Sequence, residues 1–168
     1  MQQIFFTTYL AMENTNIREI HFTDSIHYEL AKTAKLMKML TMQLFDRLKI
    51  EISLDECSAL DMIACNDGIC QRDLAKLILK DRANTGRILD SLEEKGFIKR
   101  FVDTKNNRLV KKMGMTQKGL KTLREISDKI ISYLENVTGV VPHEEMLKVR
   151  NVLRDFRLNL ENKVEMKI

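Results

Sequence analysis

Between Gln71 and Gly119 lie the residues best suited to chemistry on a partner, and that chemistry is hydrogen bonding and charge rather than bond making. Asn84, Thr85 and Arg87 are polar and precede the apolar set Ile88, Leu89 and Leu92. An arginine can bond both acceptors on the major-groove edge of guanine, and an asparagine the matching edge of adenine, each pair giving about 1–3 kcal/mol of discrimination. From Gln71 to Lys112 there are twelve Lys or Arg against six Asp or Glu, whereas the rest of the chain carries sixteen basic against eighteen acidic residues. A basic block in a chain whose net charge is only +4 is the footprint of a nucleic-acid-binding module, although charge alone would also describe a solvated face.

Other reactive residues form no comparable set. Cys57, Cys65 and Cys70 are odd in number and irregular in spacing, so no disulfide framework is expected. Cys57 and Cys65 are eight residues apart and could share a helix face, which leaves the three as candidate redox residues. A reactive thiolate needs a cationic neighbour and access, however, and none is evident, so inert cysteine is the expectation. His21, His27 and His143 are scattered without ligand spacing, and neither a metal nor a cofactor is expected. No base, oxyanion site or phosphate loop accompanies the thiols, so an enzyme is not expected.

The elements that must position these residues follow from periodicity and caps. With one proline and six glycines in 168 residues there is little room for flexible linkers. Residues 1–22 show no clear period and read as an arm, with Met12 an alternative start. Thr23 and Asp24 can cap a long helix over 23–52 carrying Ile26, Leu30, Ala34, Met37, Leu44 and Leu48 on one side. Ser53-Leu54-Asp55-Glu56 spells a capping box. Gln71 to Leu79 reads as a helix, Lys80-Asp81 as a turn, and Arg82 to Lys95 as a helix capped by Asp81 and ended by Gly96. Residues 97–102 and 109–113 read as strands joined by a polar loop from Asp103 to Asn107. Thr116 caps a helix that ends at Gly139, and Pro142 begins another, on which Met146, Val149, Leu153, Phe156 and Leu160 keep a 3-4-3-4 spacing suited to helix pairing.

No run approaches the roughly 20 apolar residues of a membrane span. The first twelve residues lack a leading Lys or Arg, so no signal peptide is expected and a cytoplasmic protein is the default. The fold class expected is mainly α with a small β-hairpin wing.

This order resembles the MarR family of bacterial transcription regulators over roughly residues 24–160. The similarity is carried by Leu74-Ala75, by Asp81-Arg82-Ala83-Asn84-Thr85-Gly86-Arg87, by Leu92 through Arg100, by Asp103 and Arg108, and by Thr116-Gln117-Lys118-Gly119. The organisation that the resemblance implies is a winged helix-turn-helix over 53–115 flanked by N- and C-terminal dimerisation helices over 23–52 and 116–168. The resemblance implies that Arg82–Lys95 is a recognition helix whose leading half, with Arg82, Asn84, Thr85 and Arg87, enters the major groove. It implies that Arg108 reaches the minor groove, braced by Asp103, with Lys105 beside it. Gln71 and Arg72, opening the preceding helix, are expected to hold phosphate. A phosphate contact, or a salt bridge to Asp90 or Asp103, is the alternative to a base contact for Arg87. Gly86 departs from the family pattern; a helix-interior glycine costs up to about 1 kcal/mol relative to alanine. The resemblance further implies a homodimer on double-stranded DNA, repression at a pseudo-palindromic operator, half-sites roughly 10 bp apart, and release by a signal the residues do not identify, the family's alternatives being a small-molecule effector, cysteine oxidation or a metal. Peroxide-sensing members carry their cysteine on the first helix, where this chain has none. A winged helix used for protein contacts is the other reading.

Overall fold

Ser25, rather than Thr23 or Asp24, opens the first long helix in the computed structural model, which describes residues 22–105 and 108–165. Phe22–Asp24 form a 3-10 turn, and the Ser25 hydroxyl accepts the Tyr28 N–H at 3.2 Å while donating to the Phe22 carbonyl at 2.6 Å. The cap falls one residue later than expected because the turn consumes Thr23 and Asp24. The expected arm lies outside the described residues except for Phe22.

Helix α1 spans Ile26–Arg47 and crosses the division at Leu40 between two compact units. The described part of the first unit is 22–40, where Ile26, Leu36 and Met39 are exposed. The second unit, from Thr41, holds the core: Phe45, Ile52, Leu60, Ile63, Leu74, Leu89, Leu92, Phe97, Met113 and Ile126 pack with their neighbours.

Within the second unit, α2 (Leu54–Cys65) is opened by the expected capping box: Ser53 accepts from the Glu56 N–H and the Glu56 carboxylate accepts from the Ser53 N–H. Helix α3 (Gln71–Leu77) ends two residues sooner than expected. Leu79 takes a left-handed φ of 54°, and Lys80 N–H reaches back to the Ala75 carbonyl at 3.0 Å, closing the helix in a Schellman-like turn that usually uses glycine. Helix α4 (Arg82–Glu94) starts on Asp81, whose carboxylate accepts the Asn84 N–H at 2.8 Å, and stops before Gly96 at φ 75°.

Strands β1 (Ile98–Lys105) and β2 (Arg108–Met115) pair antiparallel from Ile98↔Met115 to Lys105↔Arg108. The expected loop from Asp103 to Asn107 is therefore mostly strand, leaving Asn106 and Asn107, outside the described residues, between the two. Polar side chains do not prevent pairing on a hairpin solvated on both faces near its tip. The segment before α3 adds a short third edge, with Cys70 bridging to Lys112 and Met113 N–H bonding the Ile69 carbonyl at 3.0 Å.

Helix α5 (Gln117–Thr138) is capped by Thr116, which accepts the Gly119 N–H. Its first turn closes on the end of α4. Thr116 Oγ1 lies 2.8 Å from the Gly96 carbonyl and 3.0 Å from that of Phe97, and Lys118 Nζ donates to the Lys95 carbonyl at 2.7 Å. Helix α6 (His143–Glu161) follows Pro142, which sits at the cap rather than inside the first turn. Three residues of its expected seam are exposed: Val149 is 47% exposed, Leu153 41% and Leu160 46%. No described helix is long and apolar enough to cross a membrane.

Candidate nucleic-acid interface

The leading turns of α4 separate the expected reading residues into those facing out and one facing in. Arg82, Asn84 and Arg87 are exposed. Thr85 is 0% exposed, with its hydroxyl donating to the Asp81 carbonyl at 2.8 Å. Thr85 is thus a core residue and is withdrawn from the reading surface. Its bond to the carbonyl four residues back satisfies the hydroxyl, so the methyl can pack inward. A signal for this was present in the sequence: positions 85, 89 and 92 fall on one helical stripe.

Asn84 is partly committed. Its side-chain amide donates to Asp81 Oδ2 at 2.5 Å, leaving one amide hydrogen and the carbonyl oxygen for a partner. The Asn84 backbone N–H, then its side chain, hold the Asp81 carboxyl below its ordinary value. Among the described residues no side chain pairs with the Arg87 guanidinium. Both carboxylates considered as its partners are taken: Asp90 by Arg100 at 2.7 Å and Asp103 by Lys112 at 2.5 Å.

Gly86 faces protein. A Cβ built there would lie 3.3 Å from the side-chain nitrogen of Gln71, and that nitrogen donates to the Arg82 carbonyl at 3.0 Å. The glycine thereby admits the start of α3 against the leading turn of α4, and Gln71 is engaged in tying the two helices. Arg72 is exposed beside Asp73, at 3.5 Å.

At the hairpin, the Asp103 carboxyl is held below its ordinary value by the hydrogen bond from Lys112, then by the Thr104 N–H. Its described partner is therefore Lys112; the side chains of Lys105 and Arg108, and so the expected brace, lie outside what is described.

Ion pairing sorts the basic block in a way composition does not. Lys80 pairs with Asp55 at 2.8 Å, Lys95 with the buried Glu56 at 2.8 Å, Arg100 with Asp90 and Glu93, and Lys112 with Asp103. Among the described residues, Lys76, Arg82, Arg87, Lys99 and Lys111 are exposed and have no carboxylate within 4.0 Å. Lys76, Lys99 and Lys111 were missed by motif reading; the free state of each depends on folded geometry.

The cysteines are dispersed in character. Burial, then the charge of Asp61, pushes the Cys57 thiol up to about 11, the opposite of an activated nucleophile. Cys65 is exposed, and Cys70 is half-buried with its thiol donating to Asp73 at 3.1 Å. Among the described residues no three His, Cys, Asp or Glu cluster as metal ligands.

Comparison with known proteins agrees with this arrangement. Residues 52–110 match the model of the MarR family. An uncharacterised HTH-type transcriptional regulator of Bacillus subtilis, YybA, is 31% identical over 96 residues, which are 57% of this chain and 63% of that protein. The HTH-type transcriptional regulator PrsX of Escherichia coli is 33% identical over 64 residues, 38% of each chain. The matches thus span between about a third and two thirds of these relatives. Among solved structures, a MarR protein from Peptoclostridium difficile superposes with a TM-score of 0.71 at 20% identity, covering 90% of this chain and 95% of that one. The MepR–DNA complex of S. aureus gives 0.67 at 21%, covering 83% and 99%. At these identities the likeness is one of fold.

Proposed function

We propose, from the match of residues 52–110 to the MarR family model, that this chain is a DNA-binding transcriptional regulator, not an enzyme, working in the cytoplasm. The observation that carries the reading is Arg87, exposed and free of carboxylate partners on the leading half of a capped helix. Arg82, Lys76, Lys99 and Lys111 supply further unpaired cations for phosphate. Asn84, Arg87 and the wing residues Lys105 and Arg108 remain the proposed contacts, with Arg72 beside them.

The exposed apolar residues Val149, Leu153 and Leu160 on α6 support a homodimer, in which a second copy would cover them. Two copies on a two-fold axis would read a pseudo-palindromic operator with half-sites roughly one helical turn apart. Repression by occlusion, relieved by a signal the sequence does not identify, is the mode of control proposed.

The test is gel retardation of duplexes from the region upstream of the gene, at low and rising salt, with sedimentation of the protein alone. A retarded duplex with a symmetric footprint and a dimeric mass are expected. Failure to retard any duplex at low salt overturns the regulator reading; a monomeric mass overturns the dimer.

A further inference from the structure

Arg100 lies in the basic block, and by charge alone it would be counted among the donors for phosphate. Its surroundings give it another task. Nη2 stands 2.7 Å from Asp90 Oδ1 and Nη1 3.1 Å from Glu93 Oε2, while the Arg100 backbone N–H donates to the other Glu93 oxygen at 3.0 Å. Asp90 and Glu93 are three residues apart on α4, hence on one face of the helix. The planar guanidinium spans both carboxylates, a fit that a lysine ammonium does not reproduce. Among the described residues these are the only side-chain hydrogen bonds and ion pairs joining α4 to β1. The Arg100 side chain is only 26% exposed.

We propose that Arg100 is a positioning residue that sets the angle between the recognition helix and the wing. Base reading by α4 and backbone gripping by the hairpin then engage one duplex together. The proposal rests on the DNA-binding reading above. Two contact elements held in register act as one binding event; released from each other, each must find the duplex separately. Specific binding depends on that register, whereas non-specific binding depends on charge alone.

The experiment compares two probes: a duplex selected by the unaltered protein from a randomised library, and a random-sequence duplex of equal length. Arg100→Gln is expected to weaken the selected duplex about tenfold and the random duplex little, with an unchanged salt slope on the random duplex. Arg100→Lys keeps the charge and is expected not to restore binding. The paired change Asp90→Asn with Glu93→Gln removes two negative charges and is nevertheless expected to weaken the selected duplex. If Arg100 were a phosphate contact, Arg100→Gln would weaken both duplexes alike and flatten the salt slope, and the paired change would tighten both. Either result, or full rescue by Arg100→Lys, overturns the proposal while leaving the regulator reading intact. A second readout needs no DNA: amide hydrogen exchange over β1 should rise in Arg100→Gln while that of α2 holds, and unchanged exchange in β1 also overturns it. If the unaltered protein binds no duplex, the regulator reading falls and this proposal with it.

Discussion

Gly119 approaches the Phe97 carbonyl so closely that a Cβ added to it would come within 2.1 Å of the oxygen. The need at this position is space, and it is set by the first turn of α5 lying directly on the chain that leaves α4. Gly119→Ala is expected to destabilise the protein by about 1–3 kcal/mol, the usual scale for overpacking a fixed site. Gly96→Ala, where a Cβ meets nothing within 4 Å, is the contrast: its cost comes from φ 75° alone. Urea unfolding of both variants checks this. Equal midpoints for Gly119→Ala and the unaltered protein would refute the steric account.

Glu56 makes the second expectation one of pH. Burial works against its ionised form, but hydrogen bonds from Lys95, Ser91 and the Ser53 backbone outweigh that and hold the carboxyl below its ordinary value. A lowered folded pKa means a stabilisation fully present above the unfolded value and lost as pH falls through the folded one. Glu56→Gln is expected to lose about 1–3 kcal/mol at neutral pH, with a flatter decline as pH falls below the ordinary carboxylate range. Parallel acid-unfolding curves for the two proteins would show that Glu56 carries none of the acid sensitivity.

Arg87 and Thr85 should part company when mutated. Arg87→Ala is expected to lose about 1–3 kcal/mol of discrimination at one base-pair position, with stability changed by no more than about 0.5 kcal/mol. Thr85→Val keeps the buried shape, loses the bond to the Asp81 carbonyl, and should cost about 1 kcal/mol of stability with base preference unaltered. Binding-site selection on both variants, beside thermal melts, separates the two roles. A shifted base preference in Thr85→Val would restore it to the reading surface.

Free and paired cations should differ in their response to salt. Lys111→Ala removes an unpaired cation and is expected to reduce the slope of log affinity against log salt by about 0.9, the worth of one phosphate contact. Lys80→Ala removes a cation held by Asp55 and should leave the slope unchanged. Affinities at four salt concentrations decide this, and equal slopes for the two variants would contradict it.

What could be read in advance follows from how local each interaction is. Ser53 and Glu56 are three residues apart, as are Asp81 and Asn84, and Thr116 and Gly119; each cap was legible because both partners lie in one turn. Gly96 was legible for the same reason. The pairs Asp55–Lys80 and Glu56–Lys95 join residues 25 and 39 positions apart, so only the fold reveals which charges neutralise which. Thr85 was misassigned because polarity was weighed above its place on the apolar stripe. The helix ending at Leu77 was overrun because Leu79 is a residue type that seldom adopts positive φ. Arg100 offered no sign that its charge is satisfied within the protein.

The internal neutralisation of Lys80, Lys95, Arg100 and Lys112 bears on how a regulator of this kind would search a chromosome. Every cation left free strengthens attachment to irrelevant sequence as much as to the correct one. A regulator that ties several of its cations to its own carboxylates would dwell briefly at each wrong site and spend less of its time detained there. Its occupancy would then depend on the few bases its helix can tell apart, and the carboxylates facing those cations would contribute to selectivity without touching DNA.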